Sequence, residues 1–440
     1  MNDSNITPLV ERRRFLQALG LGSVAAAAGV VGYAQVTKSD PKAAAATVSG
    51  GSSDGLTSSA PSTTAPPVAT PSGQRTLVVL ELNGGNDALN TLVPEHGRYR
   101  DGRPSLALPE GDLLELAGLS THGLHPSLAP LASIWNAGNL GIVAGVGFDG
   151  ASRSHFQAMD WWSAGSAGST QAGWLGRWRD AAHPDEANPL HAVSLGGRSR
   201  SLRAFTGTAT VVESPPDFAL RVPRGGDADR IDAALTAISV GAASESANWL
   251  DAAHVAGADA RDAAERFAGL VDAAGSVPSN RRSQSVTELM KTASQLIQAD
   301  LGTRVIVVST RGFDTHANQL TTHAALLSDV ATGVGALLTE VEAAGRGDDV
   351  LVMTTSEFGR RVDENGSGGT DHGRAGVQFL AGKSIAGRLV GHHDLDHLTN
   401  GDLTPSIDVR SLYGTALDWL GGPTTDVLGG AFDDLGLLSA

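Results

Sequence analysis

Five polar clusters in this 440-residue chain carry side chains suited to chemistry. Asp87 lies in NGGNDALN, Ser154 and His155 in FDGASRSH, Asp314 and His316 in TRGFDTH, Glu357 in TSEFGR, and Asp371 with His372 in GGTDHG. Carboxylates and imidazoles gathered at one place are hard and borderline ligands for a divalent cation. In Asp314-Thr315-His316 the two types stand two residues apart, so an extended or tightly turned loop lets both reach one ion. An Asp-x-His pair is common by chance, and its weight comes from Glu357 and Asp371-His372 in comparable positions. Ser154, with Gln157 three residues on, has the form of a capping box opening a helix over His155 to Gly165. The same geometry presents a hydroxyl at a positive helix end, where a phosphoryl or sulfuryl group is held. Gly84-Gly85-Asn86-Asp87 is open in the same way, as a tight turn with Asp87 capping a helix or as part of a site.

The elements that must position these residues are legible as apolar runs. Thr76–Leu82, Leu140–Gly147, Arg304–Ser309, Val350–Thr354 and Val377–Leu380 are continuous Val, Ile and Leu-rich stretches that suit strands buried on both faces. Helical patterns lie between them, at Ile231–Ile238, Ser246–Ala274, Ser283–Ala299 and Gln319–Ala344. The alternation predicts an α/β sandwich around a largely parallel sheet. The first four runs exit at their C-terminal ends into the clusters of Asp87, Ser154-His155, Asp314-His316 and Glu357. In open α/β sheets ligands bind outside those strand ends, where loops and helix N-termini converge. The segment 246–300 reads either as a helical insertion over one side of the site or as an ordinary helical layer. Gly391-His392-His393-Asp394-Leu395-Asp396-His397 is the richest ligand cluster by composition, but it follows the last clear buried strand and reads as a polar surface loop.

The N-terminus has another character. ERRRFLQALGLGSVAAAAGVVGYAQV joins a basic cluster to a short apolar stretch, with Gly32-Tyr33-Ala34 as a cleavage point. Arg12, Arg13, Phe15 and Leu16 match the twin-arginine export pattern, so residues 1–34 are expected to be a signal read by the twin-arginine translocase. The other reading is a retained anchor, for which the apolar part is short against a bilayer core of roughly 30 Å. Residues 35–74 are mostly Ala, Ser, Thr, Gly and Pro and read as a disordered tether, leaving residues 75–440 as one folded domain. The expected location is periplasmic or extracellular, with no stable membrane span after cleavage. The chain has no cysteine, which excludes thiolate metal sites and Cys nucleophiles and fits folding in a reducing compartment before export. A net charge of −15 argues against nucleic acid as a partner.

No GxxxxGK[ST] loop, HExxH helix or GxGxxG after the first strand occurs, and the GxSxG match at Gly51 to Gly55 falls in the tether. Nucleotide hydrolases, zincins, serine esterases and Rossmann dehydrogenases are thereby set aside. LNGGNDALNTLVP, SRSHFQAMDWW, GWLGRW, GFDTHANQ, SEFGRRVDENGSGGTDHG and DVRSLYGTALDWLG together resemble the domain of unknown function 1501 family, within the alkaline-phosphatase-like, or sulfatase-like, superfamily.

The resemblance implies a mixed sheet between helices and one or two divalent metals at the strand ends, with zinc, calcium, magnesium and manganese all open. Carried over, Asp314, His316 and His372 look like one metal's ligands and Asp87 with Glu357 like a second set. Asp371 ligates or orients His372, while Ser154, beside His155, sits at the nucleophile's position. Three departures matter. Glu357-Phe358 stands where Asp-His is usual, Asn83 stands where Asp is usual, and the Asp-x-His spacing is short. No C/S-x-P-x-R signature occurs, which argues against sulfatase chemistry. The expected activity is hydrolysis of phosphate or related esters, small-molecule or polymeric. The alternative is a silent secreted protein that binds a carbohydrate, peptide or surface polymer in the same pocket.

Overall fold

Strand β1, Thr76–Asn83 in TLVVLELN, buries Leu77 and Val79 on one face and Val78, Leu80 and Leu82 on the other, as a central strand covered on both sides must. In the computed structural model, which describes residues 74–150, 152–166, 171–213, 249–274 and 284–439, this strand lies near the middle of a nine-stranded sheet. The export signal expected over residues 1–34, the tether expected from residue 35 as far as residue 73, and the helix expected at 231–238 lie outside the described residues.

The next strands are β2 (Leu92–Pro94), β3 (Leu114–Leu116), β4 (Leu119–Leu124), β5 (Leu140–Gly147), β6 (Ala192–Leu195) and β7 (Thr210–Val212). They are followed by β8 (Val305–Arg311), β9 (Val350–Thr355), β10 (Arg360–Glu364) and β11 (Thr370–His372). The last are β12 (Gly376–Ala381), β13 (Arg388–Gly391) and β14 (Ile407–Asp408). The main sheet has the order β13-β5-β12-β9-β1-β8-β6-β7, with β14 also pairing β5. Its ladders are parallel except those of β12 with β5 and β9. All its strands but β12 therefore point their C-terminal ends to one edge. The five apolar runs are strands, with ends shifted by no more than two residues.

Two helical layers cover the sheet. Helices Ala129–Asn136, Trp249–Ala274, Val286–Gln298 and Gln319–Ala343 pack on one face, and His155–Ala164, Trp174–Ala182, Val409–Leu420 and Thr424–Leu428 on the other. This is a three-layer α/β/α sandwich with a mixed, largely parallel sheet. Ser285 opens the Val286 helix with a reciprocal capping box to Glu288. Residues 249–274 form one long helix that contributes Ala263, Ala264 and Phe267 to the first core, which supports an ordinary helical layer rather than an insertion. Gln319–Ala343 is long and apolar enough to cross a membrane, but its Leu327, Val330, Val334 and Leu337 are core residues.

His323 of that helix has a measurable consequence. Its ring is 1% exposed, Nε2 donates to Asn86 Oδ1 at 2.8 Å, and Nδ1 has no partner. Burial pushes its pKa down to about 3. An unfolded chain protonates this imidazole near pH 6.5 while the folded chain leaves it neutral, so stability is lost as pH falls from about 6.5 towards 3. Each such group contributes a slope of about 1.4 kcal/mol per pH unit in that window. Urea titrations of metal-stripped protein should show His323→Gln, which keeps a donor for Asn86, flattening the slope by about one proton. An unchanged slope would refute the assignment.

Candidate metal centre

Gly84 and Gly85 let the end of β1 touch two other loops. At Gly84, with φ +123°, a Cβ would lie 2.3 Å from Asp314 N, and at Gly85, with φ +82°, 2.3 Å from the Phe358 ring. Both positions combine left-handed backbone with close approach, which only glycine tolerates. The Gly84 N–H donates to both oxygens of Glu357, at 2.9 and 3.1 Å. Arg360, on β10 and fully buried, locks the same loops. It donates to the carbonyls of Gly84, Gly85, Phe313 and Thr370 and, at 2.8 Å, to Asp314 Oδ1.

On this frame His155, Asp314 and His372 each present a ligand atom within 4.8 Å of the others, the one such group among the described residues. His316 extends it, with Nε2 at 3.0 Å from Asp314 Oδ1 and 2.9 Å from His372 Nε2. His372 Nε2 is 3.0 Å from Asp314 Oδ1, and His155 Nε2 is 3.5 Å from Asp314 Oδ2. Every ring has its other nitrogen at an acceptor. His155 Nδ1 is 2.9 Å from Glu357 Oε1, His372 Nδ1 is 2.8 Å from the Arg153 carbonyl, and His316 Nδ1 is 3.4 Å from Asp371 Oδ1. Assigned from these contacts, each Nδ1 carries the proton and three Nε2 lone pairs face one carboxylate.

The electrostatics match. Burial opposes the charge on Asp314, but the bond from Arg360 and its positive charge outweigh it and hold the carboxyl at about 2. Burial keeps His372 below its ordinary value and so neutral, despite its bond to the Arg153 carbonyl, which pulls the other way. The hydrogen bond that His155 donates to Glu357 raises its pKa against burial. A neutral His372 with acceptors at both nitrogens is unfavourable without a cation beside Nε2. The donor set thus fits a divalent ion, and its nitrogen content suits a borderline metal better than calcium or magnesium.

Several expectations need correcting. Asp87 does not join the cluster. Its carboxylate, 0% exposed, caps Ala88–Thr91 through Leu89 N and Asn90 N and forms a bidentate pair with Arg103 at 2.6 and 3.0 Å, with Gln319 also donating to it. A buried guanidinium occupies its charge, so Asp87 and Glu357 do not form a second ligand set. Glu357 faces His155 as an orienting carboxylate. Asp371 faces His316 Nδ1, at 3.4 Å, while His372 Nδ1 is held by the Arg153 carbonyl. His155, expected to act in catalysis beside Ser154, lies among the candidate ligands. Ser154 precedes the His155–Ala164 helix as an exposed residue whose side chain takes no capping bond, so the expected box with Gln157 is not formed. Phe358 is fully buried, its ring centroid 5.0 Å from that of His155 and 4.5 Å from that of His372. It walls the imidazoles without ligating. In the 391–397 segment His393 and Leu395 are buried rather than on the surface, and no metal-competent group forms there among the described residues.

Sequence reading missed Arg360, whose only signal was its place in SEFGRR, between Glu357 and the Asp-His pair. It also missed Glu81, Arg198 and Arg200. These line a cavity of about 380 Å³ that opens beside the cluster and is bounded also by His155, Asp314 and Glu357.

The protein is an α/β/α sandwich with histidines and an aspartate gathered at the C-terminal edge of its largely parallel sheet. Residues 148–435 match the family described as Protein of unknown function (DUF1501), and the chain belongs to it. Among curated proteins none matches the sequence. Solved structures of similar fold include a protein in the alkaline phosphatase superfamily from Vibrio parahaemolyticus, at 10% identity over 84% of this chain and 71% of that one, with a TM-score of 0.39. Another is the PsFucS1 sulfatase from Pseudoalteromonas sp., at 12% identity over 83% and 72%, with a TM-score of 0.38. A third is the C-terminal periplasmic domain of EcEptC from Escherichia coli, solved in complex with Zn, at 12% identity over 79% and 83%, with a TM-score of 0.37.

Proposed function

We propose that this protein is an exported, metal-dependent hydrolase of phosphate or related esters. The observation that carries the reading is the shared orientation of three imidazoles, each with Nδ1 at an acceptor and Nε2 turned to Asp314. His155, Asp314, His316 and His372 would hold one borderline divalent cation, zinc being the best fit to three nitrogens and one oxygen. Once bound, the ion would polarise a phosphoryl or sulfuryl oxygen and lower the pKa of a nearby hydroxyl. Ser154 would supply that hydroxyl: Oγ bonds to phosphorus while its proton passes to the departing alcohol oxygen, which leaves with the electron pair of its ester bond, and water then attacks the phosphoserine, one of its protons returning to Oγ. Arg360 keeps Asp314 ionised, and Glu357 fixes the tautomer of His155. Export through the twin-arginine translocase to the periplasm or beyond belongs to the same reading and rests on Arg12-Arg13 and the apolar stretch that follows.

A second reading, a silent protein that binds a polymer or glycan in the same cavity, is favoured by Phe358 and by the Asp87–Arg103 pair, which leave one metal position where the resemblance allowed two. The test is elemental analysis of protein purified after export, with assays on aryl phosphates, phosphodiesters and aryl sulfates. About one equivalent of metal is expected, and Ser154→Ala should retain it while turnover falls about 100-fold or more. Bound metal without turnover of any ester selects the silent reading, and protein with neither metal nor turnover refutes both the metal and the hydrolase.

A further inference from the structure

The cavity beside the candidate metal centre has an acidic floor with no part in holding the ion. Glu81 of β1 stands in register with Ser309 of β8 and Thr355 of β9, so three adjacent central strands present one polar row to the cavity. This row continues the face that buries Leu77 and Val79, where a carboxylate is costly unless it is used. Glu81 is also deliberately held: Ser199 and Ser201 donate to its Oε1 at 2.6 and 3.1 Å, and Asn83 donates to Ser309 Oγ at 2.9 Å. Arg200 and the exposed Arg198 and Arg311 line the same space.

We propose that this cavity is a subsite for a hydroxyl-rich alcohol of about hexose size, with Glu81 as its specificity-determining residue. The chemistry of the lining selects that class. An alkyl or acyl chain would displace water from a carboxylate and three guanidinium groups without replacing its hydrogen bonds. A second anion would meet Glu81, and a cation would meet three arginines. A neutral polyol satisfies both signs, because each hydroxyl donates to the carboxylate and accepts from a guanidinium. The volume, about 380 Å³, falls near the lower end of the roughly 300–1,000 Å³ of small-molecule sites. Burial raises the carboxyl's pKa, with the serine bonds opposing it, as suits a group that exchanges water for ligand hydroxyls. For the identity of the esterified group the inference rests on the hydrolase reading; for polyol binding it does not.

The two are separated by using a neutral probe. Saturation-transfer NMR and calorimetry with methyl glucoside, on full-length protein both metal-loaded and chelator-treated, should show binding in both states. Glu81→Ala should weaken it at least tenfold and Glu81→Gln less, with near-ultraviolet circular dichroism unchanged. Should Glu81→Ala misfold, Ser309→Ala serves instead, with an expected loss of about threefold to tenfold. Glucose 6-phosphate and a maltotriose phosphorylated at its terminal sugar distinguish a free sugar ester from a chain-borne one, and turnover or binding of either supports the subsite. Absence of glycoside binding, or equal binding by the variants, overturns the proposal even if phenyl phosphate is hydrolysed. Glycoside binding without any ester turnover upholds it while the hydrolase reading fails.

Discussion

Asp314→Asn is expected to strip the protein of its metal. Asp314 is the one carboxylate in contact with all three Nε2 atoms, at 3.0, 3.0 and 3.5 Å. It is also the only anion there to offset a doubly charged ion, since Glu357 and Asp371 face the far sides of their imidazoles. The carboxamide keeps the shape, removes the charge, and leaves Arg360 Nη2 without its anionic partner. Outer residues that merely orient ligands cost roughly 10–100-fold in metal affinity when lost, so loss of this direct ligand should exceed about 100-fold. Competition with a chelating dye measures it. A second readout is thermal: the chelator should lower the melting temperature of the parent protein and leave that of Asp314→Asn unmoved. Equal metal retention by the two proteins would remove the proposed centre. Because Asp314 stays ionised down to about pH 2, acid release of the ion should follow imidazole protonation. His155, raised by its Glu357 bond, then competes with the metal at higher pH than an ordinary histidine does, so affinity falls as pH drops through the histidine range.

Arg360→Met should be the most destabilising single change in this part of the fold, by about 3–5 kcal/mol. The guanidinium is fully buried and serves five acceptors: four carbonyls and Asp314. Methionine fills much of the space but bonds none of them, and the carbonyls of Gly84, Gly85 and Phe313 lose a donor they share. Lysine is not expected to rescue the protein, since one ammonium cannot reproduce a planar fork that bridges three loops. Denaturant titrations of metal-free protein give the number directly. A loss under about 1 kcal/mol would mean that the loops are held mainly by the glycine contacts and by Glu357.

Chain order gave little warning of Arg360, because nothing in RR distinguishes a buried fork from a surface cation until Phe313, Gly84 and Thr370 surround it. Asp87 misled for the opposite reason. Its types and spacing suited a ligand, and Arg103, sixteen residues on in an unremarkable GRPS stretch, took its charge. Phe358, read as a lost ligand, keeps that meaning and gains another as the wall against which His155 and His372 pack.

By itself the sequence determined the five strands β1, β5, β8, β9 and β12, the layered α/β class and the loops at the strand ends, because burial on both faces writes continuous apolar runs and their C-terminal exits must carry polar turns. It also determined the ligand types, down to the short Asp-x-His of Asp314 and His316. Tertiary structure decided which side chains meet. His372 closes the short strand β11, off the main sheet, and reaches the shared edge just ahead of β12 because β12 runs antiparallel to its neighbours. His155 becomes a candidate ligand because Glu357, 202 residues away, takes its Nδ1. Strand direction and partners that distant leave no local pattern; they are fixed only when the sheet closes and each buried polar group must find its bond.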